Sequence, residues 1–296
     1  MITKSTTSFD CAAIIGTKDR PRELAVCLAS LAALRPPLRE VIVLDQGSGP
    51  PAEPPAGRSV TVLQAERSGL SYARNQGLMR AKAVWVFFPD DDCTVATDAL
   101  ERAAEALQSF SGAAFLCGRV LPPEAAKSEK SETLPRALST PEEVLRVGMS
   151  AGLFVKRDLL ERLHGFDERF GVGSRYPSGE ESELLFRALD QGVRGVYAPA
   201  IRIFHANPFT LLDPAAQERR AFEYGRGWGA LFAKHAAWAS GKTFQYLQRY
   251  YLMRALGGAA LAIFTLRPAL AHRYIASFRG RLLGWKQWYL QERLGP

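Results

Sequence analysis

The chain has 296 residues, 47% hydrophobic and 23% charged. That globular balance excludes global disorder and leaves room for one large α/β domain, alone or with an appended segment. The net charge of +8 is unevenly placed: residues 1–200 carry 24 Lys+Arg against 26 Asp+Glu, residues 201–296 carry 14 against 4. A tail this basic suits an anionic surface of lipid or nucleic acid, or is a solvated face.

In chain order, the opening MITKSTTSFD has no apolar stretch, so no signal peptide is read. Cys11–Gly16, Glu40–Asp45, Val60–Leu63 and Val84–Phe88 read as short buried strands, and Pro21–Leu34 and Leu70–Ala83 as helices between them. Such alternation builds a mainly parallel sheet with helices on both faces, whose ligands sit at the carboxyl ends of the strands. A further helix starts near Thr97. Residues 121–143, rich in Pro, Ser, Glu and Lys, read as a mobile surface loop, and Met149–Val155 resumes an apolar run. A helix over Lys156–Leu163, a turn-rich stretch from Gly165 to Gly179 and a helix from about Glu181 to Gln191 follow. Val193–Tyr197 and Ile201–Phe204 read as two short strands, and from Pro214 the pattern is helical to the end. Cys11, Cys27, Cys93 and Cys117 form no C-x-x-C pair and read as buried free thiols.

Three stretches carry chemistry. In Phe87-Phe88-Pro89-Asp90-Asp91-Asp92, three consecutive carboxylates follow an apolar strand. Charges so close raise one another's pKa unless a cation offsets them, and a hard divalent ion with oxygen ligands does so. The alternative is an Asp-rich turn capping the next helix. Glu180, Glu181 and Glu183 open a helix after Gly179; the helix dipole favours acids there and accounts for one or two of the three. Arg74 and Asn75, within Gly69–Gly77, offer donors near a strand end for phosphate or a base. Ala255–Leu266 is apolar and flanked by Arg254 and Arg267. At twelve residues it falls short of the about 20 that span a bilayer, and suits a buried or interfacial helix. Gly225-Arg226-Gly227-Trp228-Gly229-Ala230 follows a helical segment and is rejected as a dinucleotide loop.

In this order the features resemble the family-two inverting glycosyltransferases of the GT-A fold, especially bacterial ones acting on cell-surface polysaccharides. The matching stretches are Ile14–Pro21, Val43–Ser48, Gly69–Gly77, Pro89–Asp92, Gly165–Glu168 and Gly179–Arg187, so the resemblance covers roughly residues 10–206. It implies an α/β, Rossmann-like GT-A domain over 1–210, with a mainly parallel mixed sheet flanked by helices. Residues 211–296 lie outside the resemblance and read, from their charge and helical pattern, as a basic helical segment that contacts a membrane or forms oligomers. By resemblance, Thr17, Arg20 and Asp45 line the base and ribose pocket, which Arg74 and Asn75 complete. Asp90–Asp92 looks like the DxD motif: Asp92 binds Mg²⁺ or Mn²⁺, Asp90 faces ribose and metal, and Asp91 lies on the donor side. His205 is similar to a late histidine that some members use as a further metal ligand. Glu180-Glu181 looks like the acidic pair near the acceptor, whose second member is usually Asp. Glu181 is then the base, with Glu180, Asp167 and Arg187 on the acceptor side.

The implied reaction is a single in-line displacement from a nucleoside-diphosphate sugar to a hydroxyl of a glycan or lipid-linked glycan. The implied location is cytoplasmic, peripheral on the inner face of the cell membrane, with no nucleic-acid partner. Two rivals are a sugar-nucleotide pyrophosphorylase, whose glycine-rich phosphate loop Thr17-Lys18-Asp19-Arg20-Pro21 lacks, and a non-catalytic basic scaffold, which gives the carboxylate clusters no purpose.

Overall fold

Apolar runs separated by helices form the parallel half of a mixed sheet, as the alternation predicts. The computed structural model describes residues 9–49, 60–127, 134–147, 150–207, 209, 212–238 and 241–293. Residues 1–8 of the stretch read for a signal peptide, residues 128–133 of the polar stretch and Met149 lie outside the described residues. The chain divides into two units, Met1–Phe166 with Leu184–Ala206, and Asp167–Glu183 with Asn207–Pro296.

In the first unit, β1 (Cys11–Thr17), α1 (Pro21–Ala32), β2 (Glu40–Asp45), β3 (Val60–Gln64), α2 (Leu70–Leu78) and β4 (Trp85–Phe87) follow one another. The strands lie in the parallel order β3-β2-β1-β4. Next come β5 (Cys93–Val95), α3 (Ala99–Ser109), β6 (Phe115–Leu121), β7 (Arg136–Leu138), α4 (Pro141–Val147), β8 (Leu153–Lys156), α5 (Arg157–Arg162), α6 (Glu180–Asp190) and β9 (Gly195–His205). The first turn of α6 belongs to the second unit. Beyond β4 the order is β8-β6-β9-β5, with antiparallel pairs except for the parallel β6–β9, and β7 also pairs with β9. The central strand β1 is buried almost throughout, as a strand covered on both faces must be. Phe87 and Phe154 stack at 4.1 Å between ring centroids in a core shared with Ile15, Val43 and Leu116.

Two expectations are corrected. The polar stretch 121–143 is not all loop. Ser139 and Thr140 donate their N–H groups to Glu143 Oε2 at 2.8 and 3.0 Å, and Glu143 N–H donates to Thr140 Oγ1. This capping box starts α4, and β7 just before it buries Leu138. The two strands read at 193–204 are one strand, β9. Its pairing with β6 shifts between Gly118 and Arg119, opposite Pro199. Proline has no N–H for the ladder, so the strand bulges there and continues.

The second unit contains α7 (Pro214–His235), α8 (Gly241–Phe264) and α9 (Pro268–Trp288). Pro214 at the first helical position and Asp213, accepting from Ala216 N–H at 2.8 Å, start α7. The rejected glycine pattern is a helix-packing face. A Cβ at Gly225 or Gly229 would strike the backbone of Ser277 or Arg281, and one at Gly280 or Gly284 would strike that of Phe222 or Arg226. Glycines on both helices let α7 and α9 meet backbone to backbone. Arg281 is buried at this crossing, its guanidinium 4.8 Å from the Tyr251 ring and 5.8 Å from that of Phe232. Burial pushes its pKa down to about 10. The four cysteines are free and buried.

Candidate active site

The parallel register places Thr17, at the end of β1, beside Asp45, at the end of β2. Both are buried, and Asp45 Oδ1 accepts the Gly47 N–H at 2.8 Å. β4 delivers the acidic triplet next to them. The Asp90 carbonyl accepts the Cys93 N–H at 3.2 Å, closing a turn that fans the three carboxylates apart.

Asp91 turns inward. Its Oδ2 accepts from Thr17 Oγ1 at 2.8 Å, and its Oδ1 lies 3.2 Å from Arg20 Nη1. Burial raises its pKa, against the lowering pull of Thr17 and Arg20. Arg20 also reaches Asp92 Oδ2 at 2.8 Å. Buried Arg74 lies against the Phe88 and Phe166 rings and contacts Asp90 Oδ1 at 3.2 Å.

β9 supplies the last member. Its antiparallel pairing with β5 sets Cys93 opposite His205, which carries the imidazole to the triplet. His205 Nε2 stands 2.9 Å from Asp92 Oδ1 and 4.0 Å from Asp90 Oδ2. The hydrogen bond from His205 holds Asp92 below the usual carboxylate range and raises His205 in turn. Among the described residues no three His, Cys, Asp or Glu groups form a ready-made metal cage. Asp90, Asp92 and His205 bring together carboxylate and imidazole donors, residue types that serve as ligands of divalent ions.

In the second unit, Gly179, at φ +86°, turns the chain into α6. Ser178 seats against Gly227 of α7, where a Cβ would collide with it, and donates from Oγ to the Tyr224 carbonyl at 3.0 Å. The three glutamates then separate. Glu183 is fully buried and paired with Lys234. Lys234 also binds Asp167 Oδ2 at 2.7 Å, and Arg169 grips both Asp167 oxygens at 2.9 and 2.7 Å. Burial alone would raise Asp167; Arg169 and Lys234 overcome it and hold the carboxyl well below the usual range. Glu180 is buried and Glu181 half-buried, the most exposed of the three. Tyr224 is raised above the usual phenol range by burial, with Glu180 and Glu181 adding to the shift.

The structure therefore gathers Thr17, Arg20, Arg74, Asp90, Asp91, Asp92 and His205 into one hydrogen-bonded and ion-paired set, with Asp45 alongside Thr17. It gives three other candidates framework contacts. Asn75 uses both ends of its amide on the Phe166 backbone, donating from Nδ2 at 2.9 Å and accepting at Oδ1 at 2.8 Å. Arg187 donates to the carbonyls of Leu163 and Gly165. Asp167 is held by Arg169 and Lys234. Sequence reasoning missed Lys234; its signal was a lysine directly after the buried residues Leu231, Phe232 and Ala233, where a cation needs an acidic partner.

The family model described as "Glycosyl transferase family 2" matches residues 12–160. The chain is 28% identical over 240 residues to the succinoglycan biosynthesis protein ExoM of Rhizobium meliloti (strain 1021), covering 74% of each chain. It is structurally similar to the mannosyltransferase PcManGT from Pyrobaculum calidifontis in complex with GDP-Man and Mn²⁺ (TM-score 0.60, 19% identity, 92% of this chain and 86% of that one). It is also similar to GalNAc-T7 with UDP, GalNAc and Mn²⁺ (TM-score 0.55, 16% identity, 83% of this chain and 51% of that one). The mixed sheet flanked by helices is thus the GT-A architecture, followed here by a helical segment.

Proposed function

Because the chain belongs to glycosyl transferase family 2, we propose that it is an inverting, metal-dependent glycosyltransferase that moves a sugar from a nucleoside-diphosphate donor to a hydroxyl of a glycan or lipid-linked glycan. The observation that carries this reading is the meeting of Asp90, Asp92 and His205 at the ends of β4 and β9. The Mn²⁺ complexes of the two structural neighbours support metal use, and the relative's part in succinoglycan biosynthesis supports a role in polysaccharide synthesis. Family membership favours sugar transfer over the pyrophosphorylase and scaffold readings.

Asp90 and Asp92, with His205, would hold Mg²⁺ or Mn²⁺. Such an ion, when bound, neutralises charge building on the departing diphosphate. Thr17 and Asp45 bind the base and ribose. Arg20 and Arg74 brace the acidic turn and add positive charge beside it, stabilising the anionic donor. Glu181 takes the proton from the acceptor hydroxyl. The acceptor oxygen forms its bond to the anomeric carbon on the face opposite the diphosphate. The old carbon–oxygen bond breaks, its electron pair leaves with the nucleoside diphosphate, and the anomeric configuration inverts. Glu180 orients the acceptor. Asn75, Asp167 and Arg187 act indirectly, by fixing the backbone around Phe166 and the start of α6. The basic tail rests on the anionic inner face of the membrane, where a lipid-linked acceptor is found.

The test is release of nucleoside diphosphate from a panel of UDP-, dTDP- and GDP-sugars, with and without Mn²⁺. Turnover of at least one donor only when metal is present supports the proposal; no turnover of any donor under either condition contradicts it.

A further inference from the structure

Apolar side chains usually leave water when a helix packs, and the far half of α8 does the reverse. Between Ala255 and Leu266 only the small residues Ala255, Ala259 and Ala262 are buried. The large ones point outward: Leu256, Leu261 and Ile263 are exposed, Phe264 is 85% exposed and Leu266 is 89% exposed. These residues form the closed end of the α8–α9 hairpin, since α9 starts at Pro268.

Leu266 sharpens the point. It occupies the left-handed region at φ +55°, two residues past the helix end, and the Arg267 N–H behind it donates to the Ala262 carbonyl at 2.8 Å. This is a Schellman-type stop, a position that glycine or asparagine fills with less strain. Here a bulky apolar side chain is held in a strained conformation and displayed outward.

The charge around the tip completes the pattern. The hairpin residues 241–288 contain no Asp or Glu and eight Lys or Arg, of which Arg281 is buried. Exposed Arg254 and Arg267 bracket the apolar end, and exposed Tyr246 and Tyr250 lie further back along α8 with exposed Arg249. Cations and tyrosines favour the headgroup level, and apolar side chains the acyl layer. The ten helical residues Ala255–Phe264 reach about 15 Å, and lying along the interface they keep Arg254 and Arg267, at opposite ends of the run, both at headgroup level. Among the described residues no helix is long and apolar enough to cross a membrane.

We propose that the end of the α8–α9 hairpin, centred on Leu261, Phe264 and Leu266, inserts into one leaflet of an anionic bilayer, with Arg254 and Arg267 on its headgroups. This deepens the membrane contact in the function proposed above and is independent of the catalytic residues. A protein partner would need acidic surface around an apolar socket; a second copy of this hairpin offers the same positive charge and would be repelled.

The experiment uses the full chain and vesicles of phosphatidylcholine, with or without phosphatidylglycerol. Wild type should pellet with the anionic vesicles and far less with the neutral ones. The triple variant Leu261→Ser, Phe264→Ser, Leu266→Asn should bind anionic vesicles roughly tenfold more weakly or worse. The same variant should keep wild-type turnover of donor with a water-soluble acceptor, so loss of binding with intact turnover separates this inference from the catalytic reading. If no donor is turned over by either protein, the vesicle result still stands alone. All four native cysteines are buried, so an environment-sensitive thiol dye attached to the Phe264→Cys variant reports the tip itself and should shift to the blue on anionic vesicles. Equal vesicle binding by the triple variant, an unshifted dye, or a lipid-free dimer abolished by the triple substitution would each overturn the proposal.

Discussion

His205 Nε2 stands 2.9 Å from Asp92 Oδ1, a contact made across the β5–β9 pairing by residues far apart in sequence. Asp92 can meet the imidazole because Asp91 faces the other way, toward Thr17 and Arg20. If His205 is a ligand, His205→Asn should weaken Mn²⁺ binding by at least about tenfold, a scale that even the outer partners of ligands command. Imidazole nitrogen suits Mn²⁺ better than Mg²⁺, so Mg²⁺ binding should fall less. Calorimetric titration of both ions checks this, and unchanged Mn²⁺ affinity would remove His205 from the ligand set.

Glu181→Gln keeps the shape of the side chain and removes its basicity. Turnover should drop about 10²–10⁴-fold, while donor affinity stays near that of wild type. Steady-state kinetics with donor binding measured separately distinguishes the two effects. If Glu181→Gln remains active and Glu180→Gln is dead, the base is Glu180.

Lys234 is the shared partner of Asp167 and the fully buried Glu183. Lys234→Met should destabilise the fold by about 3–5 kcal/mol, because a buried charge loses its counter-ion. Adding Glu183→Gln should recover part of that loss. The pH dependence has a definite sign. Asp167 is depressed in the folded state, so it contributes stability above its unfolded pKa of about 3.9, and that contribution is lost as pH falls through the lower folded value. Urea midpoints from pH 7 downward should show this acid limb in wild type and a shallower one in Lys234→Met.

Gly284 of α9 lies against the Arg226 carbonyl of α7. Gly284→Ala puts a methyl group into backbone, which has little freedom to retreat, and should cost about 1–3 kcal/mol despite alanine's better helix propensity. Thermal unfolding measures it. A stabilised variant would mean that α7 and α9 do not cross this closely.

The elements legible in the sequence are those with one clear signal. Pro21 announced α1, and the apolar runs announced β1, β2 and β4. The strand β6 went unnamed because Phe115-Leu116-Cys117 is buried on both faces and its run fits a buried helix equally well. The strand β7 is three residues inside polar sequence, and the Thr140–Glu143 capping box after it was the cue overlooked. At the site, the triplet and His205 were legible as residue types, but their division of labour was not. Nothing in Asp90-Asp91-Asp92 says that the middle carboxylate turns inward; that depends on Thr17 and Arg20, brought there by β1. Asn75 and Arg187 stand within family-like motifs, yet their hydrogen bonds go to the backbone of residues 163–166. Motif membership marks such a residue without saying whether it touches substrate or holds what does.

The central claim is metal-dependent binding of a nucleoside diphosphate at the Asp90–Asp92 turn. Thermal stability of the full chain against UDP, dTDP and GDP, each with and without Mn²⁺, tests it most directly when wild type and Asp92→Asn are compared. At a hundredfold excess over Kd a bound nucleotide adds about 2.7 kcal/mol. Wild type should gain that stabilisation from at least one nucleotide with Mn²⁺ and little without it, and Asp92→Asn should lose the metal-dependent part while keeping its ligand-free stability. Equal stabilisation of both proteins by the same nucleotide in the presence of Mn²⁺ would contradict the account.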